Sequence, residues 1–203
     1  MHISEGVLSL PVLATGGTIT FFSTMYGLKK LDYDKIMTVA MFSSAFFVAS
    51  FIHIPLGPGS VHLLLSGIVG LILGWAAFPA ILAALFLQAL LFQYGGLAVI
   101  GVNTVIIAAP AVILGLFFRP WLVQPGKKRF IASGAAGFFS IFFSSLLMAA
   151  ALIATDAGFA KAALLLVAWS IPVSILEGVI TISIVKFLAT VQPEILFFSE
   201  NSK

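Results

Sequence analysis

The sequence predicts an all-α, polytopic membrane protein, and composition and run length together predict it. Of 203 residues, 61% are hydrophobic and 8% charged, against roughly 45–50% apolar and about 25% charged residues in soluble domains. So few charges cannot clothe a water-facing surface, which excludes a soluble enzyme or a nucleic-acid binder. Apolar stretches of about 18 residues or more recur along the chain, the length a helix needs to cross a bilayer. The formal charge of +3 therefore reads as topology information and not as the mark of an acidic partner. Without cysteine, disulfides, thiolate metal sites and a cysteine nucleophile are excluded. A single transmembrane domain over residues 1–203 is expected.

The chain opens Met1-His2-Ile3-Ser4-Glu5-Gly6, without the Lys or Arg that a signal peptide carries ahead of its apolar core. This start is expected to be kept. A first span is expected over residues 8–27, with Pro11 near its beginning, where a missing N–H costs little. Lys29, Lys30, Asp32, Asp34 and Lys35 form a solvated turn before a second span over residues 36–51. Residues 53–62 hold two prolines, two glycines and two histidines, and the backbone must turn there. Spans over residues 63–78 and 79–94 follow, divided at Pro79, a helix-start residue. A glycine-bearing loop over residues 95–103 leads to a fifth span over 104–118. A basic loop over 119–129 leads to a sixth over 130–154. A polar turn precedes a long seventh span over 162–191, broken near Pro172. Seven spans are expected.

Cytoplasmic loops carry an excess of Lys and Arg. The first loop holds Lys29, Lys30 and Lys35, and the fifth holds Arg119, Lys127, Lys128 and Arg129. The second and fourth hold none, and the sixth sets Lys161 against Asp156. Odd loops are therefore inside, the N-terminus outside and the C-terminus cytoplasmic. That arrangement places His2, His53 and His62 on the outer side.

A histidine at position 2 can use nitrogens that no internal histidine has. The Met1 amine, the His2 amide nitrogen and the His2 ring can close around one metal in fused five- and six-membered chelate rings. Three nitrogens in one plane suit Ni(II) or Cu(II), and Co(II) less decisively. A fourth donor would complete the plane, and His62 is the natural candidate. On the dipeptide alone, a chance start with a disordered end explains Met-His as well.

Further residues carry a resemblance. Met1-His2-Ile3 with Glu5-Gly6, the loop from Pro55 to Gly59-Ser60-Val61-His62-Leu63, the stretch Gly95-Gly96-Leu97 to Gly101-Val102-Asn103, and Glu177-Gly178-Val179-Ile180-Thr181 stand in this order along the chain. Together they resemble the CbiM/NikM family, the substrate-binding (S) components of energy-coupling-factor (ECF) cobalt and nickel transporters. The resemblance implies about seven transmembrane helices, an N-terminal segment that dips inward, and a Pro/Gly/His-containing outer loop. It implies a metal held by the Met1 amine, the His2 amide and ring, and His62. His53 precedes the motif and matches no ligand position, which leaves it, with Asn103, Glu5 and Glu177, as a candidate to stand behind the ligands. A departure from the family is Leu64-Leu65-Ser66-Gly67, which stands where a glycine-rich run often follows the loop histidine. The bound substrate would be Ni(2+) or Co(2+), with no organic cofactor. The implied partners are an ECF transmembrane coupling subunit, ATPase subunits and a small companion membrane protein, in a prokaryotic inner membrane.

Glu177 is the one acidic residue deep in a span, where a charge costs about 2.5–3.5 kcal/mol on insertion scales. It has a role behind the ligands or in gating, or it is a protonated acid bonded to a carbonyl near Pro172. Asn103, Gln88 and Gln93 are amides that can satisfy freed backbone groups or orient a ligand; Asn103, expected on an outer loop, is the better candidate to stand behind a ligand, whereas Gln88 is expected to bond between helices. Glu5 either steadies the N-terminal segment or attracts cations. Small residues at Gly134 to Gly137 and at Ala80, Ala83 and Ala84 allow close helix approach, within this bundle or against a partner. Phe138, Phe139, Phe142 and Phe143 are expected to face lipid. The chain contains no Walker-type Gly-x-x-x-x-Gly-Lys-Ser/Thr sequence, so ATP hydrolysis belongs to another chain. Two other functions compete: an S component for an organic vitamin, and an intramembrane metalloprotease. The second lacks a His-Glu-x-x-His pair, so no enzyme is expected. Single cysteines at Lys30 and Asp156 should label from opposite sides of the membrane; labelling from one side would overturn the assigned topology.

Overall fold

The computed structural model describes residues 2–56 and 59–197, with the side chains of residues 53–61 outside that description. Helix α1 (Leu10–Lys29) leads through a 3-10 turn to α2 (Ile36–Ala49). A β-hairpin follows, β1 (His53–Leu56) against β2 (Gly59–His62). Five further α-helices follow among the described residues: α3 (Ser66–Leu73), α4 (Ala77–Phe92), α5 (Ile100–Leu122), α6 (Lys127–Thr155) and α7 (Ala160–Val191). The fold is helical, as expected. Among the described residues the hairpin is its departure from helix, with His53 opposite His62 in an antiparallel register.

Local chemistry accounts for the ends. Pro11 lies in the first turn of α1, where its missing N–H has no partner to lose. Asp32 accepts from the Asp34 amide at 3.1 Å, and Asp156 accepts from the Gly158 amide at 2.7 Å. Both turns are closed by a side chain that mimics a backbone carbonyl. Pro110, Pro120 and Pro172 lie inside helices. The seventh helix therefore runs unbroken through Pro172, against expectation, because one lost hydrogen bond costs less in an apolar medium than two new helix ends.

Among the described residues four stretches are long and apolar enough, by length and composition only, to cross a membrane: Ser66–Phe92, Ile100–Leu122, Lys127–Thr155 and Ala157–Val191. The 14 residues of α2 fall short of the roughly 20 that a span needs. The count of seven spans is thus not established by length and composition. The span expected over residues 63–78 is also corrected. With eight residues, α3 is only about 12 Å long at 1.5 Å per residue. Nor do α3 and α4 form one rod, which would hold residues 66 and 88 about 33 Å apart. His62 and Gln88 instead meet the same ring, that of His2. The chain folds back at Gly74, whose φ of +53° with ψ −126° is open to glycine and little else. Run length alone cannot register such a reversal.

The short helix α3 is wrapped by the bundle, and all eight of its residues are buried. Its neighbours approach at backbone distance. A Cβ on Gly70 would strike the Ala111 carbonyl of α5, and one on Gly67 would strike the backbone of Gly137 in α6. Gly137 in turn lies against Thr181 and the Glu177 carbonyl of α7. The small residues of α6 are thus used within this bundle. Phe139 and Phe143 are exposed, as are Leu164, Leu165 and Ile175 on α7, the apolar outer surface of a protein solvated by lipid.

Candidate metal centre

The N-terminal segment ahead of α1 folds into the mouth of the bundle. Ile3 is buried, and its peptide groups are taken by one side chain. The Ile3 amide donates to Asn103 Oδ1 at 3.0 Å, and Asn103 Nδ2 donates to the Ile3 carbonyl at 3.0 Å. Two residues on, the Glu5 amide donates to the Gly95 carbonyl at 3.0 Å. The Glu5 carboxylate accepts from the Ala98 amide at 2.9 Å, just ahead of α5, where a negative charge suits a helix start. Gly95 and Gly96 have positive φ, and a Cβ on Gly96 would overlap the Glu5 side chain. The paired glycines leave room for the N-terminal segment.

This seating carries His2 to Gln88 and His62. His2 Nε2 lies 3.0 Å from Gln88 Oε1. Gln88 Nε2 donates to Ser50 Oγ at 3.0 Å, and Ser50 Oγ donates to the Phe47 carbonyl at 2.6 Å. Because the serine proton is committed to a carbonyl, Ser50 must accept from the amide, which leaves Gln88 Oε1 facing the ring. His2 Nε2 therefore carries the hydrogen, and Nδ1 is the unprotonated nitrogen. The same accounting applies to His62, whose Nδ1 lies 3.2 Å from the Leu63 carbonyl. A carbonyl only accepts, so Nδ1 carries a hydrogen. His2 Nδ1 and His62 Nε2 lie 3.2 Å apart, with ring centroids 4.9 Å apart.

Burial pushes the His2 imidazole down to about 3 from its usual 6.5, the positive chain terminus pushes the same way, and the Gln88 contact opposes both. The ring is neutral and ready to act as a ligand at physiological pH. Among the described residues no three His, Cys, Asp or Glu side chains cluster.

The structure brings together most of the residues singled out in the sequence. His2 and His62 meet directly. Met1 lies outside the described residues, as does the side chain of His53, although the backbone of His53 pairs with His62 across the hairpin. Asn103 belongs to α5 and not to an outer loop, and it grips Ile3 instead of the ring. Glu5 steadies the N-terminal segment. Glu177 lies fully buried in α7, and its carboxylate accepts from the Leu64 amide and from the Leu65 amide at 3.0 Å. The bond to a carbonyl near Pro172 is not the one it makes. Gln88, read in the sequence as a helix-to-helix bond, makes one to Ser50 at the end of α2 and also touches His2. Its mark in the sequence was an uncharged amide inside an apolar helix, which needs a partner wherever it is buried.

Residues 2–195 match the CbiM family, described as the cobalt uptake substrate-specific transmembrane region. A Haemophilus influenzae protein named for metal transport is 41% identical over 206 residues, covering 99% of each chain. The cobalt transport protein CbiM of Lachnoclostridium phytofermentans is 29% identical over 93% of this chain and 77% of its own. The fused nickel transport protein NikMN of Rhodobacter capsulatus is 32% identical over 73% of this chain and 46% of its own. A crystal structure of a truncated transition metal transporter superposes with a TM-score of 0.80 at 25% identity, covering 93% of this chain and 98% of that one.

A pH dependence follows from the depressed His2 ring. Above about pH 6.5 the ring is neutral both docked and released. Below it, the released ring takes a proton that the docked ring refuses until about pH 3, so docking loses about 1.4 kcal/mol per pH unit. The thermal midpoint of the metal-free protein should fall between pH 6.5 and 5, and fall less in His2→Gln. Equal slopes in the two proteins would contradict a buried neutral His2.

Proposed function

The chain belongs to the CbiM family of cobalt-uptake transmembrane proteins, and from that premise we propose that its folded-in start captures one Ni(II) or Co(II) ion for import. The family transports cobalt and nickel; the chain is a membrane transport protein and not an enzyme. The proposed donors are the Met1 amine, the His2 amide nitrogen, His2 Nδ1 and His62 Nε2. One observation carries this reading: two ring nitrogens of neighbouring imidazoles, His2 Nδ1 and His62 Nε2, lie 3.2 Å apart. In a square plane with metal–nitrogen bonds of about 2.0–2.1 Å, neighbouring donors sit about 2.9 Å apart. A shift of a few tenths of an ångström therefore seats the ion. The chelate rings fix His2 Nδ1 as the ring donor, which agrees with Nε2 being committed to Gln88.

The planar, amide-bearing set favours nickel, with cobalt the second substrate. The whole chain, residues 1–203, is the substrate-binding unit. The fused nickel relative, of which this chain matches 46%, supports work alongside other transport components. We assign these as an ECF transmembrane coupling subunit and ATPase subunits, with a small companion membrane protein, in a prokaryotic cell membrane. The N-terminus then faces outside, where the ion arrives, and the basic loops face the cytoplasm.

Any residue placed before Met1 turns the amine into a peptide nitrogen and removes a donor while every side chain stays. By isothermal titration, an N-terminal extension should abolish tight Ni(II) binding and a C-terminal one should not. His62→Ala should lose far more affinity than His53→Ala. The loaded protein should be yellow-orange and low-spin. Undiminished binding by the extended protein, or equal losses from the two histidine variants, would overturn the assigned ligand set.

A further inference from the structure

His62 is held from behind by a group that belongs to no ligand. Its Nδ1 donates to the Leu63 carbonyl at 3.2 Å. That carbonyl and the Leu64 N–H are the two ends of one peptide group, which is planar and trans, so they point in opposite directions. The Leu64 N–H donates to Glu177. A continuous line therefore runs from the Glu177 carboxylate through the Leu63–Leu64 peptide to the His62 ring, and out at Nε2 toward His2. We propose that Glu177 is a positioning residue that fixes the tautomer and direction of His62 through this one peptide group.

Three observations support the assignment. First, Glu177 grips the turn at more than one point: the Leu65 amide donates to both of its carboxylate oxygens, at 3.0 and 3.1 Å. Second, Leu65 has φ +55° and ψ +19°, a left-handed conformation that a leucine adopts only where its surroundings enforce it. The enforcing contact is the carboxylate. Third, the carboxyl has a reason to sit in the bundle, because Leu65 is the residue that caps α3, and its N–H lies at the positive end of that helix. A carboxylate accepting at the N–H end of a peptide polarises the carbonyl at its other end. The Leu63 carbonyl thus becomes a stronger acceptor for Nδ1–H, and Nε2 a stronger donor to a cation. Histidine ligands to metals commonly give their second nitrogen to a carboxylate directly; here a peptide group stands between them.

The inference uses the metal reading to say what Nε2 is for, but its first test needs no metal. In detergent-solubilised metal-free protein labelled with 15N-histidine, His62, assigned by its loss in His62→Ala, should show the Nδ1–H tautomer. Glu177→Gln keeps the shape but presents an amide to N–H donors, so it should shift His62 toward a mixture of tautomers. Ni(II) affinity should fall roughly 10–100-fold in the same variant, with partial recovery in Glu177→Asp. An Nε2–H tautomer in the unmodified protein would overturn the proposal even if Glu177→Gln fails to fold. Nickel binding by the unmodified protein with an unchanged tautomer in Glu177→Gln would overturn it as well. A tautomer that follows Glu177 in a protein that binds no nickel would uphold the relay and refute the metal reading.

Discussion

The exchange of hydrogen bonds between Asn103 and the peptide groups of Ile3 is the contact on which the site depends. A chain end is normally frayed, and ordering each of its residues costs about 1–2 kcal/mol of backbone entropy. The two bonds at 3.0 Å satisfy backbone groups that would otherwise be buried without partners. They also hold Ile3 in the core, where a buried aliphatic side chain contributes roughly 1.5–3 kcal/mol. Glu5, bonded to Gly95 and Ala98, closes the segment on its other side. Only with residues 3 and 5 fixed can residue 2 be presented to the interior in one orientation.

From that anchor the proton arrangement is forced. Phe47 takes the Ser50 hydroxyl, Ser50 takes the Gln88 amide, and Gln88 takes His2 Nε2. The Leu63 carbonyl takes His62 Nδ1. What remains is His2 Nδ1 beside His62 Nε2 at 3.2 Å in a desolvated setting, the pair from which the proposed metal site is built. Each half of the pair is supported by a different part of the bundle. α2 and α4 hold the His2 ring, whereas the turn into α3 and Glu177 of α7 hold His62. The fold-back at Gly74 makes this convergence possible, because it returns α4 to the level from which α3 descends.

Much of this was legible in the sequence. The membrane class followed from the scarcity of charge, and the two histidines from a chain-end chelate and a loop motif. Asn103 and Glu177 were marked by being polar among apolar neighbours, although what each would touch was not readable, since both act on backbone groups far along the chain. Gln88 was read as a bond between helices, which its contact with Ser50 is; its contact with His2 was not readable, because nothing local ties residue 88 to residue 2. The length of α3 was missed for a related reason: apolar residues continue across Gly74, and the reversal there is a backbone conformation without a hydropathy signature. The helix through Pro172 shows the converse, a local breaker overridden by the bundle around it.

The central claim is that two imidazoles and two backbone nitrogens of the chain end surround a single ion in one plane. X-ray absorption at the nickel edge of the Ni(II)-loaded protein tests it most directly. The account predicts a short, four-coordinate, nitrogen-only shell, with multiple scattering from two imidazole rings and the pre-edge feature of a square-planar site. A six-coordinate shell of mixed oxygen and nitrogen, or scattering from fewer than two rings, would contradict it.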